Sequence, residues 1–194
     1  MYASWGLFLV GICYVAVLMV GIAAEGLSEP IADPTLAVME VLTLLSAILI
    51  VVVMGAIYES AGAAQRTVGV VALAFAVLMA GLTSAVHFVA LTSGRQTGFT
   101  VLQWPSTLYA VELLAWDVFL GLSLLFAGFA FRDRPHGVAV RRLLLLAGTL
   151  ALLGTAGPIT GDMALQRIGI LGYGGVLPVA ALLLAKYFQS LEPA

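Results

Sequence analysis

Apolar residues dominate the chain in long runs, broken at regular intervals by short polar or Pro/Gly-rich stretches. A membrane-crossing helix needs about 20 mostly apolar residues. Six stretches meet that length: about 4–24, 34–59, 67–91, 105–131, 138–157 and 166–188. Breakers fall between them: Glu29-Pro30, Asp33-Pro34, Ser93-Gly94, Trp104-Pro105, Arg134-Pro135 and Gly157-Pro158. No gap is long enough for a soluble domain, and no internal repeat is evident. Backbone groups in lipid must be paired within their own segment, so the spans are predicted to be helices. The expected fold is all-α: one polytopic six-span bundle, residues 1–194, with both termini cytoplasmic.

Composition sharpens this picture. Of 194 residues, 62% are hydrophobic and 9% charged, and the mean hydropathy is +1.13. Soluble domains carry about a quarter charged residues, so a water-soluble enzyme, a nucleic-acid binder and a disordered chain are all excluded. The N-terminal run lacks a basic leader and reads as an uncleaved first span. The single cysteine, Cys13, lies inside that run. It cannot form an internal disulfide or a cysteine metal cluster.

Charge placement sets the expected orientation. Arg66, Arg132, Arg134, Arg141, Arg142 and Lys186 fall on one side if the spans alternate, which predicts that side to be cytoplasmic. That half also holds Glu59, Asp133 and Glu192, for a net charge of +3. The outer half holds seven acids (Glu25, Glu29, Asp33, Glu40, Glu112, Asp117, Asp162) and two arginines (Arg95, Arg167), for a net charge of −5. The near-neutral total therefore hides a polarised chain. Topology explains the basic side, whereas the outer acids need another explanation.

Ionisable residues inside a span cost about 2.5–3.5 kcal/mol on insertion scales and are functional candidates. Glu40, His87 and Glu112 sit at similar depth on three different spans, and Asp117 lies nearer mid-membrane. A shared pocket opening outward is a cheaper arrangement than scatter in lipid, so these four are the expected catalytic set. Trp116, Tyr173, Arg95 and Asp162 are expected around it as substrate contacts. Each has a plainer reading too. His87 could hydrogen-bond to Thr83 as a packing residue, and Glu40 could snorkel to the surface. Glu112 and Trp116 share a helix face, but Trp116 is too deep for an interfacial belt. Asp117 lies about 140° around the helix from Glu112, so the two carboxylates could serve different walls, or one could pair with Arg95 or Arg167.

Carboxylates and a histidine in a dry pocket can hold and pass a proton. This suits acid–base isomerisation or cyclisation of a lipophilic, isoprenoid-like molecule. No ordered ligand spacing points to a metal. A bis-histidine haem is disfavoured, because His136 falls on the cytoplasmic side, and no cofactor is expected. The alternatives are a non-catalytic membrane subunit and a proton-coupled small-solute transporter. Transport would need a polar path onward, and the cytoplasmic halves of the spans are nearly free of ionisable groups. Gly169, Gly172 and Gly175 would let a helix approach closely, so the sixth span could also carry an oligomer contact. Pro178 could kink that span, and Lys186 reads as a snorkelling residue. The expected surroundings are membrane lipids, in a cell membrane such as a bacterial inner membrane.

His87, the run V-E-L-L-A-W from Val111 to Trp116 and the run G-P-I-T-G-D ending at Asp162 resemble the five-helix sterol-isomerase and sigma-2-receptor superfamily, which includes the emopamil-binding proteins. The resemblance implies that His87 and Glu112 act as an acid–base pair that shifts a double bond. This chain departs from that pattern in three places. Leu91 stands where the isomerases have a second carboxylate, the first span is extra, and the last span lacks their asparagine and tryptophan. Small integral-membrane terpene cyclases, which also use buried acids, are a second possible likeness.

Overall fold

A computed structural model of the chain describes residues 1–26, 31–97, 103–131 and 137–191. Six helices are long and apolar enough to cross a membrane: α1 (Tyr2–Glu25), α2 (Thr35–Ser60), α3 (Ala63–Gly94), α4 (Thr107–Ala130), α5 (Val138–Thr160) and α6 (Met163–Gln189). The protein is a multi-pass, all-α integral membrane bundle. Each helix packs on its neighbours in sequence, and α1 closes the ring against α6. The "upper" end below is where α1, α3 and α5 finish; it is the side that charge bias predicts to be outer. Of the charges used in that argument, Glu29, Arg132, Asp133, Arg134 and Glu192 lie outside the described residues, as does His136.

The two halves of the bundle are built differently. The lower half is an apolar core, in which Met54, Leu120, Leu124, Leu144 and Leu184 are fully buried. Ser123 on α4 donates to the Ala72 carbonyl on α3 at 2.8 Å, which satisfies a hydroxyl that would otherwise be stranded. At the lower surface Arg66 lies 5.5 Å from the centroid of the Tyr58 ring. The upper half contains the buried ionisable residues Glu40, His87, Glu112 and Asp117 and a cavity. Large side chains such as Leu9, Met19, Ile48 and Phe88 point outward, as a lipid solvent allows.

Three helices widen into π-helical turns: Ala90–Gly94 in α3, Leu114–Leu120 in α4 and Leu171–Val176 in α6. The last has a direct cause. Pro178 has no N–H to donate, and its ring would press on the carbonyl one turn earlier. The helix absorbs this by widening just before Leu177, where a regular α-helix resumes. Pro178 thus produces a wide turn beneath Tyr173. Such turns also re-aim side chains and are common at functional sites; the other two carry Trp116 and Asp117 and lead into Arg95.

Candidate functional site

A cavity of about 240 Å³ lies in the upper half between α1, α2, α3, α4 and α6. Apolar side chains such as Leu7, Ile50, Leu113 and Leu177 make much of its wall, and His87, Glu112, Trp116, Gln166 and Tyr173 supply polar groups.

The start of α4 is set by Ser106, whose hydroxyl accepts the Tyr109 N–H at 3.1 Å. This N-cap fixes where the helix begins and so places Glu112 opposite α3. His87 Nε2 and Glu112 Oε1 share a hydrogen bond of 2.9 Å, with both side chains buried. Thr83 is not the partner of His87; its hydroxyl points to Met79 Sδ at 3.8 Å. Three atoms of these lining residues are buried, with under 1 Å² of accessible surface each, and have no hydrogen-bond partner: His87 Nδ1, Glu112 Oε2 and Trp116 Nε1. Buried polar atoms are nearly always satisfied, so these three mark polar capacity that the protein itself does not use. The Trp116 ring also packs on Tyr173, with centroids 5.2 Å apart.

Asp117 is wholly buried but lies behind the cavity wall, turned toward α5 and α6. Gln166 Nε2 sits 3.4 Å from both carboxyl oxygens and donates to the Tyr173 hydroxyl at 2.8 Å. The space for the carboxyl comes from Gly169 and Gly154. A methyl group at Gly169 would stand 2.6 Å from Asp117 Oδ1 and 3.3 Å from Gly154 Cα.

Glu40 belongs to a different cluster near the upper surface. Arg95 Nη1 donates to Glu40 Oε2 at 2.7 Å and to the Ala90 carbonyl at 2.8 Å. Its Nε and Nη2 hold Asp33 bidentately at 2.9 and 2.8 Å. Asp33 Oδ1 also accepts the Ala37 N–H at 3.1 Å in the first turn of α2. One guanidinium thus ties the end of α3 to the start of α2.

The expected four-residue pocket is therefore corrected. His87 and Glu112 meet on the cavity wall, with Trp116 and Tyr173 beside them. Glu40 is drawn away by Arg95, whose fork geometry matches carboxylates, and Asp117 is held behind the wall by Gln166. Neither Glu112 nor Asp117 pairs with an arginine: Arg95 is taken by Asp33 and Glu40, and Arg167 is exposed. Arg95 does not line the cavity, and neither does Asp162, which is exposed and caps α6 through a 2.9 Å bond from the Ala164 N–H. Gly169 and Gly172 are buried against α5, whereas Gly175 is exposed with open space beside it. Among the described residues no three His, Cys, Asp or Glu side chains converge as metal ligands do.

Gln166 was not anticipated from the sequence. Its signal was available: it lies seven residues before Tyr173, two turns along one face of α6. Tyr14 and Tyr109 also line the cavity, and each is an aromatic residue with a polar tip inside a span. No family model matches the chain, and no curated protein or solved structure is significantly similar to it.

The Arg95 cluster carries a pH prediction. The Arg95 hydrogen bond is the main reason the Asp33 carboxyl is held below the usual aspartate range, and its charge and the Ala37 N–H act in the same direction. A depressed folded-state pKa stabilises the fold above the unfolded value, about 3.9 for aspartate, and that gain is lost as pH falls through the folded value. Thermal stability in detergent should accordingly drop below about pH 4. Asp33→Asn should be less stable at neutral pH and show a shallower acid decline. An identical decline in the two proteins would rule Asp33 out as the titrating group. The effect should be modest, since Asp33 is half exposed.

Proposed function

We propose that the upper cavity binds a lipophilic small molecule in a cell membrane and that His87 moves a proton on it, making the protein an acid–base isomerase or cyclase. The observation that carries this reading is the buried His87–Glu112 pair with unpartnered atoms on the wall of an apolar cavity. Glu112 holds the ring through Nε2 and acts as counter-ion when the ring is protonated, the role a carboxylate plays for histidine in other acid–base sites. Nδ1 is then the working atom. It gives its proton to one carbon of a double bond, which leaves the positive charge on the other, and takes a proton back from the carbon attached to that second one. One proton enters and one leaves, so the double bond moves with no net change in protonation. The Trp116 ring is placed to stabilise the transient carbocation.

The pairing of His87 with Glu112 is also what the sterol-isomerase resemblance implies. The volume is just below the ~300–1,000 Å³ usual for small-molecule sites. It suits a compact molecule or the reacting end of a longer chain. Proton-coupled transport is less favoured, because the apolar core of the lower half gives no polar route onward.

Exchange in heavy water tests the proposal. The purified protein is incubated in deuterium oxide with its co-purified lipids and a panel of isoprenoid alkenes, followed by mass spectrometry. Wild type should place deuterium at the allylic positions of one panel member. His87→Ala should slow this by about 10²–10⁴-fold, the usual worth of a positioned acid–base group. Exchange that is absent in wild type, or unaffected in His87→Ala, would leave a binding or packing role instead.

A further inference from the structure

We infer that α1 is part of the ligand site and that Tyr14 is a specificity-determining residue, its hydroxyl bonding to an oxygen on the ligand. This rests on the reading of the cavity as a ligand site. It gives a role to the span that the sterol-isomerase resemblance leaves unexplained.

Most of α1 faces outward. Leu9, Ile12, Val15, Met19 and Val20 are exposed, as in a simple lipid anchor. The inner face is different. Leu7, Gly11, Tyr14 and Leu18 follow the three-and-four spacing of one helix face, and all four line the cavity. Two close contacts seat that face. A methyl group at Gly6 would stand 3.3 Å from Leu49 Cδ2 on α2, and one at Gly11 would stand 2.8 Å from Pro178 Cγ on α6. The second contact lies three residues below Tyr14 and sets the rotation of α1 that turns Tyr14 inward. The first span thus bridges α2 and α6 and forms one wall of the cavity.

Tyr14 is the polar member of that face. Tyrosines of membrane helices sit mostly at the interface, where the hydroxyl meets water. Tyr2, exposed at the end of α1, follows that habit. Tyr14 does not, since it lies midway along the 24-residue helix. Its hydroxyl is close enough to Glu112 and Tyr109, both on the cavity wall, to interact with them electrostatically, so the tip of the side chain points inward. Among the described residues this hydroxyl has no hydrogen-bond partner. Unlike Trp116 Nε1, it is not sealed from a water-sized group. A phenol left unpaired at mid-membrane is costly, and a ligand oxygen in the cavity removes that cost. The hydroxyl can donate to any such oxygen, a carbonyl included, whereas a hydrocarbon leaves it unpaired.

Affinities of the full-length protein in detergent micelles test this with two pairs of probes, menthone with p-menthane and geranylacetone with its parent hydrocarbon. The ketone-to-hydrocarbon affinity ratio is compared between variants, so that partition into detergent cancels. Tyr14→Phe keeps the ring and removes only the hydroxyl. It should weaken the ketone of at least one pair about fivefold, the worth of one hydrogen bond, and leave the hydrocarbon unchanged. Tyr2→Phe, on the same helix, should leave the ratio as in wild type. Gly174→Phe supplies the control for the cavity itself. A Cβ at this lining glycine meets only Ile170 Cγ2, at 3.5 Å, so the backbone accepts it while the ring fills the space. A ratio unchanged in Tyr14→Phe, or an equal loss for ketone and hydrocarbon, would overturn the role of Tyr14 and leave the cavity reading intact if Gly174→Phe abolishes binding. Absence of binding by every probe, or binding unaffected by Gly174→Phe, would overturn both.

Discussion

Gly169→Ala is expected to destabilise the bundle by about 2–3 kcal/mol or more, the range for overpacking a tight interior. Elsewhere in a helix the same change gains up to about 1 kcal/mol, because alanine is the better helix former. The difference is local geometry. The added methyl would stand 2.6 Å from Asp117 Oδ1 and 3.3 Å from Gly154 Cα. The Asp117 oxygen would have to move, and moving it strains its contact with Gln166. The backbone of α5 blocks the other direction. Gly175→Ala is the internal control: it lies in the same helix, is exposed, and has nothing within 4 Å of its new methyl. Thermal unfolding in detergent, followed by loss of the monodisperse size-exclusion peak, should show a large fall for Gly169→Ala and no fall for Gly175→Ala. Similar behaviour of the two would mean that α5 and α6 are not in close contact at this point.

Arg95→Met should be the second severe change, costing about 2–3 kcal/mol. Removing one partner of a buried ion pair typically costs about 3–5 kcal/mol, and the lower figure allows for the partial exposure of Arg95. What is lost is less the attraction itself than the compensation of Glu40, whose side chain is 3% exposed and would be left buried without a cation. This makes a sharp prediction for the double variant. Arg95→Met with Glu40→Met should recover most of the loss, because the pair is then replaced by apolar groups in an apolar setting. The coupling between the two sites, read from a double-mutant cycle, should exceed about 1 kcal/mol. An additive result would show that Arg95 acts through Asp33 alone.

The polar residues show where sequence reasoning succeeded and where it stopped. Residues His87, Glu112, Trp116 and Tyr173 could be singled out because a polar group inside an apolar run is conspicuous. Their meeting on one cavity wall was within reach, since spans of equal length in a bundle bring equal depths together. Glu40 and Asp117 were conspicuous for the same reason, but depth along a span fixes only one coordinate. Rotation around each helix and the choice of neighbour supply the others. The end of α3 brings Arg95 over Glu40, and the contact of α5 with α6 brings Gln166 against Asp117. Asp162 was expected beside the pocket because it lies just above those groups at the outer end of the spans, yet its side chain caps the helix that follows it.

The chain's sequence by itself determined the solvent, the number of helices and their approximate ends, because twenty apolar residues in lipid leave the backbone no alternative to a helix. It also determined that the acids within the spans, Glu40, Glu112 and Asp117, would lie in the outer half. Tertiary structure alone decided which of those groups share a cavity, which are tied up in the Arg95 clamp and which are hidden behind Gly169. The reason is that these assignments depend on helix rotation, on wide turns such as the one below Tyr173, and on contacts between residues far apart in the chain. None of these leaves a periodic trace in the order of the amino acids.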